Sequence, residues 1–95
     1  MEAIELNHLS NNVKNTILTE TRALIEAKSM ACPALDDDTQ FLRDTPMDSL
    51  DLATLLVTLE IQLGVDPFRD GFVTFHSVAE LAELYTAALT ASSAD

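Results

Sequence analysis

One stretch limits the fold more than any other. From Pro46 to Gly64 the chain reads PMDSLDLATLLVTLEIQLG. Leu52, Leu55, Leu56, Leu59 and Leu63 recur at spacings of three and four, which at 3.6 residues per turn makes one broad apolar stripe. Leu50, Ala53, Val57 and Ile61 form a second stripe beside it, with Glu60 between the two. A half-buried strand would alternate with period two, and this segment does not. The spacing predicts a helix from Asp48 or Ser49 to about Leu63, with Gly64 suited to the left-handed residue that ends a helix. One helix on a small bundle rarely buries both sides. The second stripe is therefore expected to lie at least partly in solvent, and exposed apolar strips commonly mark docking surfaces.

The start of this helix raises a chemical question. Asp48 is a better cap than Ser49, because a carboxylate accepts backbone N–H bonds and complements the helix dipole. Ser49 then takes the first helical position, and its hydroxyl is not needed for capping. A phosphate ester there would meet free N–H groups and the positive end of the dipole. A plain solvent-facing serine fits the same position, and Asp-Ser-Leu alone does not decide between the two.

Two more helices follow from periodicity. Leu9, Val13, Ile17, Leu24 and Ile25 predict a helix from Ser10 to about Ala27, with Ser10 as cap. Residues before it extend the helix or fray. Ser77 and Glu80 form a capping box ahead of Leu81, Leu84, Tyr85 and Leu89, which predicts a last helix and then a polar tail, TASSAD. Between Lys28 and Met47 no helical period appears. So long a loop is usually functional or disordered, and Leu35, Phe41 and Leu42 are expected to pin it to the core. A second, Phe-rich connection, VDPFRDGFVTFH, is expected to hold one short helical turn. The fold class is thus all-α: a small bundle of three main helices plus one short turn, with a long loop after the first helix. The chain reads as a single domain over 1–95, its core at about 10–90, with flexible N-terminal residues and a tail at 90–95.

Composition narrows the function. Sixteen acidic residues against five basic ones give a formal charge of −11. Nucleic-acid binding rests on Lys and Arg and is excluded as an expectation, as is attraction to anionic membranes. A partner with basic patches suits this charge. A single cysteine, Cys32, forbids an internal disulfide and argues against a Cys-based zinc site. No apolar run spans a membrane and the N-terminus lacks the build of a signal peptide, so a cytoplasmic protein is expected; it is expected to be a monomer as well.

The sequence DDTQFLRDTPMDSLDLATLLVTLEIQLGV resembles the acyl carrier protein family. Asp38-Thr39, Phe41, Asp48-Ser49-Leu50-Asp51, Leu55, Leu56, Leu59, Glu60 and Leu63 match the family pattern in order, and FHSVAELAELY resembles its last helix. The resemblance covers about Val13 to Leu89. It implies that Ser49 carries 4′-phosphopantetheine through a phosphodiester, transferred from coenzyme A by a phosphopantetheinyl transferase. It further implies that the arm's thiol holds acyl groups as thioesters for acyl-transfer, synthase or ligase enzymes, and that the carrier itself is not an enzyme. Asp48, Leu50, Asp51, Ala53, Val57 and Ile61 then stand as partner-binding residues, and the bundle interior as shelter for an acyl chain. Thr45-Pro46 departs from the Leu-Gly or similar pair usual before the aspartate, and Thr54, Thr58 and Gln62 make the polar face less acidic than in typical fatty-acid carriers. The reading is a discrete acyl carrier for fatty-acid, polyketide or related metabolism. A peptidyl or aminoacyl carrier with the same prosthetic group, and an acidic helical adaptor with an unmodified serine, are the alternatives.

Other candidates carry less. Asp36-Asp37-Asp38 lacks the glycine and late Glu of a calcium loop. His8 and His76 have no ligand spacing, and no Gly-x-Ser-x-Gly elbow surrounds Ser49. No metal and no catalytic residue is expected. Phe68, Phe72 and Phe75 either line an acyl pocket or close the core. Nothing basic marks Cys32 as activated.

Overall fold

The computed structural model describes residues 2–93, with side chains from residue 8 to residue 91. Three long helices and one short one follow in order: α1 (Glu2–Ala27), α2 (Phe41–Asp44), α3 (Ser49–Leu63) and α4 (Val78–Ser93). α1 packs against both α3 and α4. No strand occurs among the described residues, only one isolated bridge.

Each long helix buries the stripe its spacing predicts. Val13, Ile17 and Ile25 of α1, Leu55 and Leu59 of α3, and Val78, Leu81, Ala82 and Tyr85 of α4 form the core. Leu52, Leu56 and Leu63 pack partly buried around it. Thr21 also lies wholly buried, one turn after Ile17. Its hydroxyl has no hydrogen-bond partner among the described residues. Tyr85 reaches across the bundle, and its hydroxyl donates to the Leu56 carbonyl at 3.3 Å. Burial, with the charges of Asp66 and Glu60, pushes its pKa up to about 12.

Of the two expected starts of α1, the extended one is found, and α4 runs further than expected. Ser10 lies inside α1 and does not cap it, because the helix already runs from Glu2. An interior serine costs a helix under about 0.7 kcal/mol, which a continuing helix outweighs. At the other end α4 continues through Ser93, where a polar tail was expected from residue 90. The Thr90 hydroxyl donates to the Thr86 carbonyl at 2.8 Å and fits the helix it was expected to end. Ala94 and Asp95 of that tail lie outside the described residues.

The short helix lies in the first connection, not in the Phe-rich second one. Four residues are too few to show a period, and the cause is local bonding. The Asp44 carboxylate accepts from the Gln40 N–H at 2.8 Å, and the Asp44 N–H donates to the Gln40 carbonyl at 2.8 Å. Phe41 is buried and meets Phe75 edge to face at 6.0 Å, while Leu42 stays 54 % exposed and does not pin the loop. Residues 67–70 of the second connection form a turn, tied by Gly71 N–H to the Phe68 carbonyl at 3.1 Å. Of its phenylalanines Phe75 is buried, Phe68 is half-buried, and Phe72 is exposed, stacked on Phe68. Phe72 therefore does not close the core.

The two connections hold each other. The Phe41 N–H donates to the His76 carbonyl and the Val78 N–H to the Thr39 carbonyl, each at 3.0 Å, closing an antiparallel bridge between Gln40 and Ser77. The Asp triplet serves this junction. Asp36 Oδ1 accepts from the Asp38 N–H at 2.9 Å, Asp37 pairs with Lys14 at 2.9 Å, and the Asp37 carbonyl accepts from the Ala79 N–H at 2.9 Å. A long loop thus arrives at α3 already fixed.

Candidate functional site

Asp48 caps α3. The Asp51 N–H donates to Asp48 Oδ1 at 2.9 Å, and the Asp48 N–H donates to Asp51 Oδ2 at 3.1 Å. This is a reciprocal capping box built from two aspartates. Gly64 closes the far end in the left-handed conformation, φ 74°, with its N–H donating to the Glu60 carbonyl at 2.8 Å. Both ends of the helix therefore lie where the sequence puts them.

Ser49 opens the helix at its first position and is exposed. Asp48 has taken the capping role, so among the described residues none hydrogen-bonds the Ser49 hydroxyl. The N–H groups of Ser49 and Leu50 precede the first intrahelical bond, which runs from the Leu52 N–H to the Asp48 carbonyl at 3.0 Å. A free hydroxyl beside unpaired N–H groups at the positive end of a 15-residue helix suits a covalently bound phosphate.

The approach to Ser49 is built from the Thr45-Pro46 pair. The Thr45 hydroxyl donates to the Phe41 carbonyl and accepts from the Met47 N–H at 3.1 Å. Met47 is buried, so the chain is anchored one residue before the cap. The Pro46 carbonyl accepts from Lys28 Nζ at 3.0 Å. The same ammonium donates to Asp51 Oδ2 at 2.6 Å. Lys28 holds the Asp51 carboxyl below its ordinary range, with the Asp48 N–H adding to the effect, and Asp51 in turn raises Lys28.

The second stripe of α3 lies in solvent. Leu50 is 74 %, Val57 57 % and Ile61 76 % exposed, and Ala53 is exposed as well. Next to the first turn of α3 an open cleft of about 300 Å³ is lined by Phe41, Leu42, Leu52 and Phe75, with Gln40, Arg43 and His76 at its polar side. The structure brings together Asp48, Ser49, Leu50 and Asp51 at the helix start and sets Ala53, Val57 and Ile61 in line along its open face. Lys28 is the site residue that sequence reasoning missed. It lies twenty-one positions before Ser49, and no periodicity links the two.

Among the described residues no group of three or more His, Cys, Asp or Glu side chains is placed to hold a metal ion. No described helix is long and apolar enough to cross a membrane.

Residues 21–85 match the family model described as "Phosphopantetheine attachment site". The chain is 31 % identical to MacpD, an acyl carrier protein from Pseudomonas fluorescens involved in mupirocin biosynthesis, whose solution structure superposes with a TM-score of 0.76. That match covers 85 % of this chain and 74 % of MacpD. A search of curated proteins found no match. The chain belongs to the acyl carrier protein family, whose members carry 4′-phosphopantetheine and are not themselves enzymes.

Proposed function

We propose that Ser49 is the attachment residue and that the protein carries acyl groups between the enzymes of a biosynthetic pathway, with polyketide assembly favoured by the likeness to MacpD. The observation that carries this reading is the division of labour at the start of α3: Asp48 and Asp51 cap the helix, and the Ser49 hydroxyl is left exposed and unbonded within the described structure. When bound, 4′-phosphopantetheine supplies a terminal thiol that holds acyl groups as thioesters.

The chain's own residues do the rest. The capping box fixes the serine in space, so that an attacking hydroxyl is presented from a rigid helix end. The free N–H groups and the helix dipole stabilise negative charge on the ester oxygens. The cleft beside Leu52 offers an apolar floor of Phe41, Leu52 and Phe75 near the attachment point. Leu50, Ala53, Val57 and Ile61 give partner enzymes an apolar strip that starts one residue after the serine. Asp48 and Asp51 add acidic character at its head, suited to a transferase with a basic surface.

Incubation with coenzyme A and a broad-specificity phosphopantetheinyl transferase tests the assignment by mass spectrometry. The wild-type chain is expected to gain one phosphopantetheine, and Ser49→Ala none. Labelling that persists in Ser49→Ala refutes Ser49 as the site. A wild-type chain that is never labelled favours the reading as an unmodified helical adaptor.

A further inference from the structure

Lys28 holds both flanks of Ser49 at once. Its ammonium donates to the carbonyl of Pro46, three residues before the serine, at 3.0 Å, and to the carboxylate of Asp51, two residues after it, at 2.6 Å. The base of the side chain is fixed. The Lys28 N–H donates to the Ile25 carbonyl at 3.1 Å, and Ser29 turns the chain away from α1 in the left-handed region, φ 62°. Ile25 itself is wholly buried. The Lys28 ammonium therefore extends from an anchored helix end, and its contacts join the end of α1 to the start of α3.

Charge gives this link a second consequence. Asp48 and Asp51 are two carboxylates within one turn of Ser49. A phosphodiester on the serine adds another negative charge in the same turn, and like charges so close repel. The other two described ion pairs, Lys14 with Asp37 and Arg43 with Asp44, neutralise other carboxylates. Lys28 is the cation paired at this helix start.

We infer that Lys28 is a charge-compensating and positioning residue for the modified serine: it joins the two flanks of Ser49 and offsets the charge that attachment adds beside Asp48 and Asp51. The inference rests on attachment at Ser49 as proposed above. It predicts that Lys28 matters more after modification than before, which a purely structural tie would not show.

The test compares unmodified and phosphopantetheine-bearing forms of wild type, Lys28→Met and Lys28→Arg by thermal melting at low salt. Lys28→Met is expected to lower the melting temperature of both forms, and that of the modified form by about 2 °C or more beyond the other. Lys28→Arg is expected to restore most of the difference, and about 0.5 M salt to remove it by screening. An equal fall in both forms overturns the inference and leaves Lys28 as a structural tie only. If Lys28→Met does not fold, Asp51→Asn serves instead. Removing one carboxylate should then favour the modified form relative to the unmodified one, and no such gain overturns the inference. Wild-type protein that takes up no phosphopantetheine at all overturns the attachment reading itself, and this inference with it, at the first step.

Discussion

Ile61→Asp and Leu59→Ala, two residues apart on α3, should behave oppositely. Leu59 is wholly buried in the core, and Ile61 is 76 % exposed. Truncating a buried leucine to alanine costs about 2–5 kcal/mol, through lost transfer energy and the cavity left behind. A domain of this size has roughly 5–14 kcal/mol in total. At about 4–8 °C per kcal/mol, Leu59→Ala should lower the melting temperature by about 10 °C or more. Ile61 has only about a quarter of its surface to lose, so about 0.5 kcal/mol of burial is at stake. Asp is a slightly poorer helix former, which adds a few tenths. Ile61→Asp should therefore cost under about 1 kcal/mol, with an unchanged far-UV circular dichroism spectrum. Its effect should appear in partner kinetics. A charge placed in an apolar contact should raise the carrier concentration for half-maximal turnover by a partner acyl-transfer or ligase enzyme about tenfold. Melting of Ile61→Asp as low as that of Leu59→Ala would show that the stripe belongs to the core. Full turnover with a normal half-maximal concentration would refute the docking surface while leaving the fold intact.

Two pH dependences follow from the shifted groups. The carboxyls of Asp44, Asp51 and Glu80 are all held below their ordinary values, Asp44 chiefly by Arg43, Asp51 chiefly by Lys28, and Glu80 by the N–H groups of His76 and Ser77. Their contribution is full above the unfolded values of 3.8 and 4.5 and is lost as pH falls through the lower folded ones. Urea midpoints should therefore drop below about pH 4, and Asp51→Asn should flatten that drop; an unchanged profile in Asp51→Asn would remove the carboxyl from the account. Tyr85 has the opposite sign of linkage. Its pKa rises from 10.0 to about 12, so its contribution is present at neutral pH and is lost as pH rises from the lower value through the higher. Stability should fall across that alkaline range in wild type and much less in Tyr85→Phe, and equal alkaline losses in the two would refute the assignment. Ser49→Ala, whose hydroxyl makes no bond to the described structure, should melt within a few degrees of wild type.

Much of this protein is determined by local sequence. Asp48 caps α3 and Gly64 ends it because the required groups lie within four residues of each helix end, and such signals need no tertiary contact. The same holds for Ser77 and Glu80, where the Glu80 N–H donates to Ser77 Oγ at 3.2 Å and Glu80 Oε1 accepts from the Ser77 N–H at 3.0 Å. The two stripes of α3 follow from spacing alone. Which one faces water also follows, because a small bundle has one side to offer each helix. Tertiary structure decided what has no period. α2 is closed locally by Gln40 and Asp44, but its place in the fold is set by Phe75 and the His76 carbonyl, which hold Phe41 from a connection some thirty-five residues away. Phe72 and Leu42 lie in solvent, while Phe41 and Phe75 meet between the two connections. Lys28 joined the site only when α1 and α3 packed together. An ammonium on a flexible stem has no preferred partner in sequence, and only the folded chain sets Pro46 and Asp51 within its reach.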